Sequence, residues 1–367
     1  MVGEPIDNNL VDALEDGDVM IEGDALYEFR KLGKTTEKNF EDDVEATLGL
    51  AGWRTFDNNA ATQADYDRKL ALKVDSLIDF VQETQPEAWA KIEGLYGSHT
   101  RERFLKRLCD ELEPHDERGG VVNVLRHGIR MAPGAQFRLC YFRPATEKNP
   151  DALARWRANR FEVVRQLRYG TMSDDLNNSV DVVLFLNGIP VVTMELKNNL
   201  TGQRTEHAVK QYKTDRSPKE LLFKANRRAI VHFALDSETV EMCTWLANGK
   251  SYFLPFNRGN GKNGAGNPPN PSGYRTEYLY REILAPDSLL DIIQRFVRVE
   301  YDPDTHAMKK IIIPRIHQLD AVRKLVADAK ASGAGKSYLI QHSAGSGKSN
   351  SIAWLAHHLQ SLHDEIR

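Results

Sequence analysis

Two carboxylates and a lysine in this chain fall at a spacing suited to cutting a phosphodiester. Asp181 lies near the start of the β-rich run Val180–Leu186, and Glu195-Leu196-Lys197 closes a second run that begins at Val191. Glu195 and Lys197 are two residues apart and so point to one face of a strand. Paired carboxylates offer hard oxygen ligands to a divalent cation. A neighbouring ammonium can position a water or stabilise phosphate charge, as metal-assisted hydrolysis needs. The runs are joined by Asn187-Gly188, a strong hairpin signal. A plain two-residue turn pairs Leu186 with Ile189 and sets Asp181 opposite Met194, so Asp181 and Glu195 face opposite sides of the sheet. A three-residue loop or one bulge sets Asp181 opposite Glu195 instead. The chemistry therefore predicts a hairpin that is not a plain two-residue one. Pro190, which donates no ladder hydrogen bond, argues for an extended loop or an edge. Taken alone, a D…ExK pattern also fits a solvated Glu–Lys pair at a strand end.

A second group suits phosphate. His342-Ser-Ala-Gly-Ser-Gly-Lys-Ser349 follows the apolar run Tyr338-Leu339-Ile340 and precedes a helical stretch, Ser349–Leu359. A strand, a glycine loop and then Gly347-Lys348-Ser349 opening a helix is the P-loop arrangement. Gly345, Ser346 and Gly347 let backbone N–H groups approach phosphate oxygens. Lys348 reaches the terminal phosphates, Ser349 can ligate Mg²⁺, and the helix N-terminus favours negative charge. His342 stands where the strict pattern has glycine. Gly333-Ala-Gly-Lys-Ser337 repeats the GKS, but it follows a helix and reads as a helix-to-strand connection.

The elements that position these groups follow from periodicity. Glu37–Leu50 reads as an amphipathic helix, with Thr36 as N-cap and Phe40, Val44, Thr47 and Leu48 on one face. Residues 66–84 read as a second helix and the stretch through Phe104, Leu105 and Leu108 as a third. Strands are predicted around Val121–Leu125, Gln136–Phe142, Phe161–Tyr169, the hairpin, Ala229–Ala234 and Glu241–Trp245. Residues 150–158 and 203–216, the stretch opened by Pro286, and Ile316–Ala329 read as helices. Residues 257–273, dense in Gly, Asn and Pro, read as a loop or linker.

Length and composition set the frame. The chain has 367 residues, room for two or three domains, with 41% hydrophobic and 28% charged residues, an ordinary globular balance. No apolar run approaches the roughly 18 residues of a membrane span. The first 50 residues carry 14 acids and 4 bases, a net of −10, with no Lys or Arg before Arg30, unlike a secretory signal. Residues 151–230 carry 14 bases and 9 acids, a net of +5, a hint of an anionic partner. Three widely spaced cysteines argue against a disulfide framework and fit a reducing cytoplasm.

Asn159–Gln203, NRFEVVRQLRYGTMSDDLNNSVDVVLFLNGIPVVTMELKNNLTGQ, strongly resembles the nuclease domain of the restriction (R) subunit of type I restriction-modification enzymes. The resemblance implies an α/β fold of the PD-(D/E)xK type, a mixed sheet flanked by helices, followed by an incomplete RecA-like domain. It implies Asp181 and Glu195 as metal-binding carboxylates and Lys197 as catalytic lysine, with Val180 replacing the motif's proline. It adds Glu37 as an early-helix acid, with Glu41 one turn later on the same face. Gln211 and Tyr212 are its candidate DNA contacts, although Ala208 occupies the glutamine position of the family's Q-x-x-x-Y motif. A histidine at 342 resembles the same subunits. Arg315-Ile-His-Gln-Leu-Asp-Ala-Val resembles the adenine-recognising Q motif of superfamily 2 helicases, with Gln318 offering donor and acceptor to the base.

The implied division is an acidic segment 1–30, an endonuclease domain 31–256, a loop 257–274, a helical connection 275–310 and the start of a motor domain 311–367. The implied activity is Mg²⁺-dependent cutting of unmodified double-stranded DNA, coupled in a full subunit to ATP-driven translocation. The implied partners are specificity and modification subunits. The motor's acidic Mg²⁺ motif is not found, so this stretch alone is expected to lack ATPase activity, and residues beyond about 300 to be less stable than the nuclease domain. The alternatives are a helicase-nuclease of a repair system and a non-catalytic DNA-binding or assembly module.

Overall fold

The computed structural model describes residues 37–362 except for stretches at 57–62, 114–118, 145, 147, 173–175, 200–201, 261–263, 334 and 344. The acidic segment 1–30 lies outside the described residues. Helix α1 (Glu37–Leu50) precedes a short hairpin of β1 (Tyr66–Asp67) and β2 (Leu72–Lys73). Helices α2 (Val74–Thr84), α3 (Pro86–Tyr96), α4 (Thr100–Leu112) and α5 (Val121–His127) follow. A second small hairpin, β3 (Ile129–Met131) and β4 (Ala135–Phe137), leads to α6 (Pro150–Arg157). The central strands are β5 (Phe161–Arg168), β6 (Ser179–Leu186) and β7 (Ile189–Leu196). After α7 (Thr205–Thr214) come β8 (Val231–Leu235), β9 (Val240–Cys243) and β10 (Leu254–Pro255). Then π-helical turns at Leu279–Ile283 and Ile292–Phe296 flank α8 (Pro286–Asp291). The pair β11 (Arg298–Tyr301) and β12 (Met308–Ile312) leads to α9 (Ile316–Ser332) and α10 (Lys348–Leu362).

The six central strands form one mixed sheet in the order β10-β9-β8-β7-β6-β5. Only β7 and β8 run parallel, with α7 crossing between them. A parallel neighbour implies cover on both faces, and all eight residues of β7 are buried. On one face Val182, Leu184, Val192, Met194 and Leu196 pack with Phe40 and Val44 of α1, with α2 to α5, and with residues of 278–297. On the other, Val164, Val183 and Phe185 pack against Ala208 and Tyr212 of α7, with Leu222 and Phe223.

Several predicted elements change. Residues 66–84 are a tight hairpin followed by a helix, with Ala71 at positive φ closing the turn. Val121–Leu125 is helical although rich in valine. Its buried residues Val121, Val122, Val124 and Leu125 follow the helical spacing, and Gly120 and Gly128 bound it at positive φ. Gln136–Phe142 contributes strand only through Phe137, and Pro86–Tyr96 is a helix that periodicity did not single out. Tyr338-Leu339-Ile340 forms no strand; Leu339 is 95% exposed. An isolated apolar run has no ladder to join, and no parallel RecA-like sheet stands among the described residues. The described residues of 257–273 form no helix or strand, as the composition predicts. Buried Asn267 ties it down, accepting from Arg258 N at 2.8 Å and donating to Glu238 O at 2.8 Å.

Candidate active site

Asn187 and Gly188 both have positive φ, +51° and +79°, the turn type whose twist matches the flanking strands. Leu186 pairs with Ile189 and Phe185 with Pro190, but Leu184 pairs with Val192. Val191 is the extra residue of a bulge, and its carbonyl accepts from Ile230 N instead. Beyond the bulge Val182 faces Met194, and the same register brings Asp181 opposite Glu195. The hairpin is thus the bulged kind that the chemistry required. Pro190 sits in a central strand beside the bulge rather than at an edge, where its missing N–H is tolerated.

Glu195 is fully buried. Its Oε1 accepts from Arg216 Nε at 2.6 Å, and its Oε2 has no hydrogen-bond partner. Burial, and then the charge of Asp181, push its carboxyl well above the usual range, while Arg216 and Lys197 pull it down. Arg216, also buried, donates from Nη2 to Ser179 O at 2.7 Å and lies over the ring of Tyr169. Sequence reasoning missed Arg216. It lies 21 residues from Glu195, and no local pattern announces that pairing. Lys197 follows β7 directly, is buried, and donates its backbone N–H to Leu235 O at 2.9 Å.

Asp181 is held through both oxygens. Oδ2 accepts from Leu196 N at 2.7 Å, and Oδ1 from Gln166 Nε2 at 3.1 Å. The same Gln166 amide donates to Glu41 Oε1 at 2.7 Å. Glu41 is thereby the α1 acid brought to Asp181, whose charge adds to burial in raising the Glu41 carboxyl. Glu37 opens α1, but its side chain lies outside the described residues. Arg165, ion-paired with Glu41, Asp42 and Glu45, is occupied by helix acids, and Arg160 is likewise paired with Asp79 and Glu83.

The expected DNA contact at Tyr212 is corrected by burial. Its ring is fully enclosed, and its hydroxyl meets Thr193 Oγ1 at 2.8 Å. Thr193 also meets His232 Nδ1 at 2.8 Å, and burial lowers the His232 pKa to about 3, so that imidazole is neutral. Tyr212 supports β7 and β8 from below. Gln211, its neighbour, is partly exposed on α7.

The donor set fits a hard divalent cation. Arg216 occupies Oε1 of Glu195, and the desolvated Oε2, without a partner and beside a second carboxylate, is the oxygen a cation could take. Among the described residues no three metal-ligating side chains converge. Mg²⁺ is commonly held in that way, by one or two carboxylates with phosphate oxygens and water completing the shell.

Residues 34–251 match the family model of the type I restriction enzyme R protein N terminus, more than half of the chain. The chain belongs to this family. It is also 28% identical over 206 residues to the type I restriction enzyme HindI endonuclease subunit of Haemophilus influenzae, an alignment covering 55% of this chain and 19% of that protein. The match thus spans about a fifth of that relative's length. All of the central sheet through β9 lies within the R protein N-terminal match.

The glycine loop lies beyond the R protein N-terminal match. Gly345 and Gly347 have positive φ, and α10 opens at Lys348. Lys348 Nζ donates to His342 O at 3.2 Å and Ser343 O at 3.3 Å, folded back over the loop. Ser346 is buried and its carbonyl accepts from Arg315; Ser349 is exposed in the first turn of α10. Gln318 does not present a free amide to an adenine. Its Oε1 accepts from Arg315 N at 2.8 Å and its Nε2 donates to Gly347 O at 2.9 Å. It clamps the loop, so closely that a Cβ on Gly347 would meet its Nε2 at 2.4 Å. In the second GKS, Lys336 pairs with Asp328 of α9. Among the described residues no helix is long and apolar enough to cross a membrane.

Proposed function

We propose that this chain carries the nuclease of a type I restriction enzyme R subunit, together with the opening of its ATP-dependent motor. In this reading the nuclease cuts unmodified double-stranded DNA using Mg²⁺. A complete subunit translocates DNA with ATP bound at Gly345–Ser349, in complex with specificity and modification subunits. One observation carries the nuclease: the bulged hairpin brings Asp181 opposite Glu195, one carboxylate oxygen of which is buried and partnerless.

Asp181 and Glu195 would hold the cation, and Lys197 would lie beside it. When bound, the cation supplies Lewis-acid stabilisation of phosphate charge and acidifies an attacking water. The protein's own residues prepare that site. The Leu196 N–H orients Asp181, and Arg216 fixes Oε1 of Glu195 and leaves Oε2 for the metal. The Lys197 ammonium orients the water for in-line attack and offsets charge on the phosphate.

The test is nicking of supercoiled plasmid at high protein concentration, with and without Mg²⁺, beside Lys197→Ala. The expected result is metal-dependent nicking, slowed about 100-fold or more in the variant. Nicking that ignores the metal or the substitution overturns the assignment. If neither protein nicks, Lys197→Ala in an assembled enzyme decides it.

A further inference from the structure

Gln166 departs from its strand. β5 pairs with β6 through Arg165 opposite Val182 and Leu167 opposite Val180, and Gln166, between them, drops out of the ladder opposite Asp181. Its φ is +48°, the left-handed region that disfavours a residue with a Cβ. Packing does not explain this, because the side chain is exposed. The surroundings nevertheless over-determine the kink. Gln63 Nε2 donates to Arg165 O at 3.2 Å and to Gln166 O at 3.0 Å, and Gln63 Oε1 accepts from Arg168 N at 3.2 Å. Ser179 Oγ donates to Gln166 Oε1 at 2.9 Å. The two hydrogens of Nε2 then go to Glu41 and Asp181. Strain kept by many contacts marks a conformation with a purpose.

We propose that Gln166 is a positioning residue of the metal site: its kinked backbone aims one amide between Glu41 and Asp181, separating the two carboxylates and fixing Oδ1 of Asp181. This rests on the metal-site reading of Asp181 and Glu195. The bland alternative is that the kink only twists an outer strand, β5, away from edge pairing.

Glycine separates the two. Gln166→Gly removes the amide but suits the positive φ, so the fold does not suffer. In the full chain, Mn²⁺ binding is followed by electron paramagnetic resonance or calorimetry for wild type, Gln166→Gly and Asp181→Asn, alongside thermal melts. The expected result is Mn²⁺ affinity about tenfold or more weaker in Gln166→Gly, the usual scale for a residue that orients a ligand, with a melting temperature equal to wild type or higher. Gln63→Ala, which releases the kink from outside the site, weakens Mn²⁺ in the same direction. Wild-type affinity in Gln166→Gly overturns the proposal and leaves edge twisting. If Asp181→Asn binds Mn²⁺ like wild type, the metal-site reading itself fails, and the proposal with it.

Discussion

Glu195→Gln is expected to abolish the proposed metal-dependent cleavage, by three orders of magnitude or more on the scale of ~1.4 kcal/mol per tenfold, yet to melt no lower than wild type at neutral pH. The two halves of this result share one cause. Glu195 is buried beside Asp181, so its charged form is disfavoured and its carboxyl is raised above 4.5. A carboxyl raised on folding supports the fold fully below the unfolded value, near 4.5, and loses that support as pH climbs through the folded value. Holding a charge at this buried position is therefore unfavourable to the metal-free fold, and glutamine removes that cost. The amide keeps a carbonyl for Arg216, which still has Ser179 O. What glutamine lacks is the negative charge that a carboxylate offers to a divalent cation. For the same reason the proposed Mg²⁺ affinity of the wild type is expected to weaken on acidification from above pH 4.5, since the cation competes with the proton. Melting curves and Mg²⁺ titrations of both proteins from pH 4 to 8 check both halves; a variant that unfolds early would mean Arg216 depends on the charge at Glu195.

Gly188→Ala is expected to be the most damaging small substitution near the site. A Cβ there would lie 2.4 Å from Lys73 O and 2.8 Å from both N and Cβ of Leu77, at a φ of +79°. Left-handed strain and overpacking together cost roughly 2–5 kcal/mol. The turn has no room to yield. The Gly188 carbonyl accepts from Lys73 N at 2.9 Å, and Asn187 Nδ2 donates to Leu139 O at 2.9 Å and Asn159 Oδ1 at 3.0 Å. Relief by shifting the turn would also disturb the register that sets Asp181 opposite Glu195, so cleavage should fall with the urea midpoint. Unchanged stability would show that the turn moves freely on α2.

The hairpin and its carboxylates were legible because their signals are local: an Asn-Gly turn, a parity argument over eight residues, and a glycine loop before a helix. The parity argument asked for a three-residue loop or one bulge, and the chain uses a bulge, at Val191. What escaped depends on distant chain. Arg216 meets Glu195 across the sheet, and Gln166 is displaced by bonds to Gln63, Ser179 and Glu41. The motif view of Tyr212 and Gln318 expected ligand contacts, whereas tertiary packing turns both side chains inward. The predicted strand Tyr338–Ile340 failed for a related reason, since a strand's stability lies in its neighbours. Valine content misled at Val121–Leu125, where the spacing of buried positions was the better guide.

The loop at 257–273 looks like a natural place to cut this chain in two, but the apolar contacts ignore it. Trp354 of α10 donates Nε1 to Phe296 O at 2.8 Å and packs on that ring, and Phe296 belongs to the same apolar cluster as Met194 of β7. Trp53 Nε1 donates to Leu284 O at 2.7 Å, and Arg126 donates to Ile293 O. A protease that clips the loop should therefore yield two fragments that stay together on a sizing column and melt in one transition. A chain trimmed at residue 256 would bare this apolar face and aggregate.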